Sequence, residues 1–308
     1  MPGIVTLTLN PALDVSSTVG SVVPDRKLRC SAPERDPGGG GVNVARVVHI
    51  LGGEATAVWT CGGHTGSLLQ DLLSQEGVSH RPVPIEGMTR ESLMIFEEAT
   101  GEQYRFQFPG PELTAEEIGR IRNALVELRE GCDYLVLSGS LPPGAPTDLY
   151  AQLAAAVGDG IRVLVDTSGE ALRETVRQGV FLIKPNIGEL CDLVGERLES
   201  DEDIARAGRK LLEAEHAEVV AVSLGAGGAM VVTRQGCEHV RSPTVPIRSK
   251  VGAGDSMVGG TVLGLSRGLG TVEAVRFGVA AGAAAVMTPG SKLCRRDDAE
   301  RLYQAMRG

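Results

Sequence analysis

Paired cysteines, clustered histidines, a basic surplus and long hydrophobic runs are all missing from this sequence of 308 residues, and each absence removes a class of function. The six cysteines (Cys30, Cys61, Cys132, Cys191, Cys237, Cys294) lie far apart with no C-x-x-C pair, so neither a zinc site nor a redox dithiol has a basis, and they read as reduced packing residues. The five histidines (His49, His64, His80, His216, His239) show no metal-binding spacing. A net charge of −9 and a pI near 5.2 repel nucleic acid and anionic membranes, so any anionic substrate must meet a local basic site. No stretch approaches the length needed to span a bilayer, and the N-terminus has no cationic region leading into a long apolar run. A cytoplasmic location is expected. Internal repeats and low-complexity segments are also absent.

What is present is alternation. Short apolar runs begin at Ile4, Ala55, Tyr134, Arg162, Phe181 and Val219, each too short for a helix. Between them Val44, Val47, Val48 and Leu51 recur at helical spacing, as do Ile118, Ile121, Leu125 and Leu128 behind a Thr114/Glu117 capping box. This pattern predicts an α/β fold, a doubly wound parallel sheet with helices on both faces. Two stretches interrupt it: about Leu13 to Arg35, and the run from Ser92 in which a Thr-Gly turn joins two strand-like segments. Together they predict a small antiparallel lobe. Near the C-terminus V-A-A-G-A-A-A-V reads as a tightly packed helix.

Four motifs carry chemistry. V-G-A-G-D, Val251 to Asp255, opens a small-residue helix, so the N–H groups of Gly252, Ala253 and Gly254 can surround an anion while Asp255 accepts a proton from a hydroxyl. The same pattern also suits a plain glycine turn with Asp255 as helix cap. P-G-G-G-G-V-N-V-A-R, Pro37 to Arg46, has more glycine than a turn needs and offers Asn43 to sugar hydroxyls. It is neither a Walker A loop nor a dinucleotide fingerprint, which counts against an oxidoreductase. K-P-N-I-G-E-L follows the strand at Phe181, placing Lys184 and Asn186 near phosphate oxygens and Glu189 where it can hold magnesium through water. V-S-L-G-A-G-G-A, from Val222, puts another glycine loop after a strand.

These motifs, in this order, resemble the ribokinase-like carbohydrate kinases of the PfkB family, from about Thr6 to Cys294. Within that family, L-T-L-N-P-A-L-D, K-L-R-C, G-E-Q-Y-R-F, S-G-S-L-P-P-G, D-T-S-G-E-A-L and S-K-L-C are similar to its 6-phosphofructokinase branch. The resemblance implies a single kinase domain over 1–308, with a β lid from about 13–35 and 88–110 that closes the sugar site and joins a homodimer. It implies phosphorylation of fructose 6-phosphate at the C1 hydroxyl by MgATP, with Asp255 as base. Asp14, Lys27, Gly39, Asn43, Arg90 and Ser140 then belong to the sugar-phosphate site. Lys184, Asn186, Ser223, Gly225 and Gly228 belong to the nucleotide, and Glu189 to the magnesium shell. A monovalent cation such as K+ is implied at Ser249, Val251, Ala285, Gly290 and Lys292.

Physical reasoning adds that a phosphorylated sugar needs cations, which Lys27 and Arg90 supply beside the lid segments. Lys250-Val251 departs from the Asp-Thr that many sugar kinases carry before G-A-G-D. Asn10 is shared with kinases of fructose 1-phosphate and tagatose 6-phosphate, which keeps those substrates open. A non-catalytic sugar-phosphate sensor would have no need of the intact G-A-G-D.

Overall fold

The computed structural model describes residues 3–307. Its elements run β1 (Gly3–Thr8), β2 (Ala12–Val19), β3 (Glu34–Gly38), α1 (Gly40–Ile50), β4 (Thr56–Cys61), α2 (Gly63–Gln75), β5 (His80–Pro84), β6 (Arg90–Glu97), β7 (Gln103–Gln107), α3 (Ala115–Glu127), β8 (Cys132–Ser138) and α4 (Leu149–Val157). They continue with β9 (Arg162–Asp166), α5 (Gly169–Val176), β10 (Val180–Ile183), α6 (Ile187–Val194), α7 (Asp201–Glu213), β11 (Ala217–Ser223), β12 (Ala229–Thr233), β13 (Gly236–Val240), α8 (Ala253–Ser266), α9 (Thr271–Val286) and α10 (Arg296–Ala305).

Nine strands form the main sheet in the order β13-β12-β11-β10-β9-β8-β1-β4-β5. The six apolar runs are its β1, β4, β8, β9, β10 and β11, all mutually parallel where they pair. Alternate side chains enter two separate cores. Tyr134 and Val136 face one, shared with α1, α8 and α9, while Leu135 and Leu137 face the other, shared with α3, α4 and α7. A strand covered on both faces must be apolar throughout, which is why these runs lack polar alternation.

The expectation of a parallel sheet needs one correction. β12 and β13 are antiparallel additions at one edge. Only the short turn around Gly225–Gly228 separates β11 from β12, and a parallel crossover needs a dozen residues or more. β5, at the other edge, contains Pro82 and Pro84, which an edge strand tolerates because it need not donate outward.

The four-stranded second sheet has the order β3-β2-β6-β7. Its outer pairs are antiparallel, and the Thr100-Gly101 turn closes the β6/β7 hairpin with Gly101 at φ 73. The central β2/β6 pair is parallel, because the chain builds α1, β4, α2 and β5 before returning. One face aligns Asp14, Ser92 and Gln107, and the opposite face aligns Val15, Leu93 and Phe106.

The C-terminal alanine-glycine run forms α9, which packs on α8 with small residues at the seam. A Cβ at Gly278 would lie 2.1 Å from Thr261 Oγ1 and 2.4 Å from the Met257 carbonyl oxygen. Because backbone cannot yield as a side chain does, Gly278→Ala should cost about 1–3 kcal/mol by forcing the helices apart. Thermal unfolding tests this, and an unchanged midpoint would contradict the tight seam.

Candidate active site

After β1 the chain builds outward to β4 and β5, then returns to the other side of β1 as β8. The carboxyl ends of β1 and β8 therefore flank a switch point, where parallel sheets open a crevice. Asn10, beyond β1, donates from Nδ2 to Ser140 Oγ beyond β8 at 3.2 Å. α1 starts in the same crevice because Gly39 takes φ 113, a conformation that a side chain would oppose, and a Cβ there would meet Thr8 Cγ2 at 2.8 Å. Asn43 follows on the first turn of α1. The second sheet covers the crevice and leaves a cleft of about 650 Å³.

Asp14, Gly39, Asn43, Arg90, Ser140 and Asp255 line this cleft together. Lys27 does not. It lies in the exposed β2–β3 connection, so within a single chain it is not among the cleft residues. Arg105 and Gln107 of β7 take part instead, unforeseen from sequence although Gln103, Arg105 and Gln107 alternate along the strand.

Among the described residues Arg90 hydrogen-bonds to neutral groups only: the Asn10 and Phe108 carbonyl oxygens and Ser92 Oγ, at 3.3–3.5 Å. Burial pushes its pKa down, and the nearby Asp14 carboxylate opposes that shift. A half-desolvated guanidinium with long neutral contacts is ready to receive an anion. Asp14 is itself pushed up to about 6 by burial, against the pull of Arg90 and Arg46. It fits only because Gly38 opposite has no side chain, since a Cβ there would be 2.3 Å from its Oδ2.

Also on the cleft wall, α8 begins with Gly252 as N-cap in the left-handed region, φ 72. No side chain caps this helix, so Asp255 is not the cap that its position also allowed. The first N–H groups of α8, beginning at Ala253 and Gly254, have no intrahelical acceptor and open beside the carboxylate. Asn43 Nδ2 donates to Asp255 Oδ2 at 2.8 Å. Burial and then the Asp166 carboxylate raise the Asp255 pKa to about 6, with Asn43 and Lys184 countering.

A second cleft, about 540 Å³, adjoins the same helix start. Ser223, Gly225 and Gly228 border it with Gly254, while Ile247, Val279 and Val286 form an apolar wall. Lys184 Nζ lies 3.7 Å from the position of a Cβ on Gly254 and pairs with Asp166 Oδ1 at 2.9 Å. Burial pushes the Lys184 pKa down, but the carboxylates of Asp166, Glu189 and Asp255 together more than offset this and keep the ammonium charged. Asn186 and Glu189 are brought together differently from the expectation, as a reciprocal capping box at the start of α6. Asn186 Oδ1 is thus engaged locally, and one Glu189 oxygen accepts from the Asn186 N–H.

Residues 8–298 match the pfkB family carbohydrate kinases. The chain belongs to that family. It is 45% identical over 304 residues to the ATP-dependent 6-phosphofructokinase isozyme 2 of Mycobacterium tuberculosis, covering 98% of this chain and 89% of the relative. The structure of phosphofructokinase-2 from Escherichia coli in complex with potassium superposes with a TM-score of 0.96 at 43% identity, over 100% of both chains. The same enzyme in complex with fructose-6-phosphate superposes with a TM-score of 0.94, again at 43% identity and full coverage of both.

In this pfkB-family chain the five residues expected around a monovalent cation fall into two hydrogen-bonded sets, Ser249 with Val251 and Gly290, and Ala285 with Lys292 through Thr288. Ser249 Oγ donates to the Gly290 carbonyl at 2.7 Å, and Val251 N–H donates to Ser249 Oγ at 3.2 Å. Thr288 Oγ1 lies 2.7 Å from the Ala285 carbonyl oxygen and 2.6 Å from that of Lys292. One hydroxyl has one proton, so these two carbonyls share a single donor and retain acceptor capacity. For magnesium, no group of three or more His, Cys, Asp or Glu that could hold a metal occurs among the described residues. Asp166 has no role of its own in the sequence analysis, although it ends the apolar run R-V-L-V and opens the D-T-S-G-E-A-L motif.

Proposed function

We propose that this protein is an ATP-dependent kinase that phosphorylates fructose 6-phosphate at its C1 hydroxyl, giving fructose 1,6-bisphosphate and ADP. One observation carries the reading: a single cleft is lined both by Arg90, whose contacts are long and neutral, and by a carboxylate standing at an uncapped helix N-terminus. The sugar's phosphate is held by Arg90 and Arg105, its hydroxyls by Asp14, Asn43, Gly39 and Ser140, and its reacting hydroxyl by Asp255. Because Asn43 occupies Oδ2 of Asp255, Oδ1 is left to accept the hydroxyl proton. Charge spreading over the transferring phosphoryl group falls against the N–H groups of Gly252, Ala253 and Gly254 and the Lys184 ammonium. The apolar wall of the second cleft suits a nucleotide base, with Ser223, Gly225 and Gly228 beside it.

Magnesium, when bound, neutralises phosphate charge; with so few protein carboxylates it would depend on phosphates and water, with Glu189 reached through water. The carbonyls of Ala285, Gly290 and Lys292, with Ser249 and Val251, fit K+, which would brace the loop below the anion hole. The second sheet acts as a lid on one kinase domain, and its outer face, where Phe106 is 50% exposed beside Val15 and Leu93, supports a homodimer. Six free cysteines fit the reducing cytoplasm, and no helix among the described residues is long and apolar enough to cross a membrane.

A coupled ADP-release assay comparing fructose 6-phosphate, fructose 1-phosphate, tagatose 6-phosphate and free fructose tests this. Fructose 6-phosphate should give the largest kcat/KM. Dominance of another phosphosugar moves the specificity, and no turnover with any of them overturns the kinase reading.

The pH profile is a second test. A base with a pKa raised to about 6 is ionised above that value and protonated below it. kcat/KM, which reports the unliganded enzyme, should therefore fall about tenfold per unit below pH 6, instead of persisting to the ordinary carboxylate range near 4. The sugar phosphate's own second ionisation also falls near pH 6 and is titrated separately, so that its contribution can be divided out of the profile. A corrected kcat/KM that stays flat down to pH 4.5 would refute the assignment.

A further inference from the structure

α1 carries a cation that the proposed reaction does not use. Arg46 lies one turn after Asn43, is 5% exposed and does not line the cleft. Its guanidinium is committed on every side. Nε and Nη2 donate to the two Glu76 carboxylate oxygens at 2.7 and 2.6 Å, a fork that fixes the plane of the group. Glu76 is the C-cap residue of α2. Nη1 donates to the Pro37 carbonyl of β3 at 2.7 Å and reaches Asn43 Oδ1 at 3.3 Å.

The amide of Asn43 has two ends of like shape and opposite character. Arg46 can only donate, so it faces the Oδ1 end, and Nδ2 must then point at Asp255, where it donates at 2.8 Å. Turned over, the same amide would set its oxygen against a carboxylate, raising the pKa of that carboxylate further and turning it from its direction in the cleft.

We propose that Arg46, locked by Glu76, is a positioning residue for the base: it fixes the Asn43 amide so that Asp255 stays ionised and aimed. This rests on the reading of Asp255 as base. Other charges face the same groups. Asp166, Lys184 and Asp14 act on Asp255, while Asp36 lies 3.9 Å from Arg46, and Asp14 also feels its charge. Arg46→Lys is therefore the informative change, since it keeps the positive charge and removes only the fork.

The test is kcat as a function of pH for R46K and E76Q, at saturating MgATP and fructose 6-phosphate, with R46K repeated in an Asn43→Ala background. R46K should lower kcat by about tenfold, with KM for both substrates within about twofold, and move the acid limb to higher pH. E76Q should act in the same direction by about threefold, and it decides alone if R46K does not fold, because Glu76 is at the protein surface. In the N43A background R46K should add less than about twofold, since its action runs through that amide. A purely structural Arg46 gives a lower unfolding temperature with unmoved kcat and acid limb, and that result overturns the proposal. So does an R46K effect that persists in full without Asn43. Asp255→Asn, run alongside, separates the two readings. Near-native turnover there removes the base and Arg46's role together, whereas an inactive D255N beside an unaffected R46K removes the positioning role alone.

Discussion

Replacing Asp255 by asparagine should lower kcat by about 10²–10⁴-fold, the range for loss of a general base, while leaving KM for fructose 6-phosphate nearly unchanged. Asparagine has the same shape and still offers an oxygen to Asn43 Nδ2, so the fold and the sugar contacts survive. The variant should also unfold at no lower temperature than the parent at neutral pH. It removes a carboxylate whose raised pKa records the cost of keeping it ionised in that place. Steady-state kinetics and thermal unfolding on one preparation check both halves. Near-native turnover would eliminate Asp255 as base, and a large fall in melting temperature would show that its role is structural.

Replacing Arg90 by alanine should instead act on capture. A charge-assisted contact to phosphate contributes about 1.5–3 kcal/mol, so KM for fructose 6-phosphate should rise by roughly 10–100-fold while KM for MgATP stays near its parent value. Arg105 on β7 lines the same cleft and should retain part of the affinity, and R90A combined with R105A should exceed either alone. Arg90→Lys should recover little, because a point charge does not reproduce the fork that meets phosphate oxygens in pairs. An unchanged KM in R90A would place the phosphate elsewhere. The first loss falls in kcat and the second in KM, because Asp255 acts on the reacting hydroxyl and Arg90 on the phosphate.

Much of this arrangement could be read from the chain. The apolar runs gave six sheet strands because strands buried on both faces cannot carry polar residues, and a continuous apolar run is visible without any partner. The Thr114/Glu117 capping box is a local signal and forms as expected. The V-G-A-G-D and four-glycine motifs are legible because close backbone approach leaves glycine as the only fitting residue.

What escaped were features that depend on a neighbour. H-R-P-V-P does not look like a strand, and becomes one only because β4 offers it an edge. The parallel β2/β6 pairing depends on a return after many intervening elements. Arg105 is one surface arginine among many until the hairpin sets it above the cleft. Lys27 is the reverse case: its position in the chain suggests the phosphate site, but the exposed β2–β3 connection holds it away from this chain's own cleft. The Asn186/Glu189 box is hidden for a similar reason, since the same two residue types at this spacing suit a ligand as well as a helix start.

The hydrogen bond between Asn43 and Asp255 joins residues 212 positions apart in the chain, and the apolar side of α1 is closed by α8, where a Cβ on Gly259 would meet Val47 Cγ1 at 2.6 Å. During synthesis, α1 therefore leaves the ribosome long before its cover exists. The nascent chain can lay down β1, β4 and α1 early, yet the side of α1 that carries Val47 stays uncovered until α8 emerges. Such an interval favours sticking to other chains and creates a need for chaperone protection. It also means that a chain interrupted just before Ala253 has every strand of both sheets and no reactive centre, so activity appears only once α8 has been made.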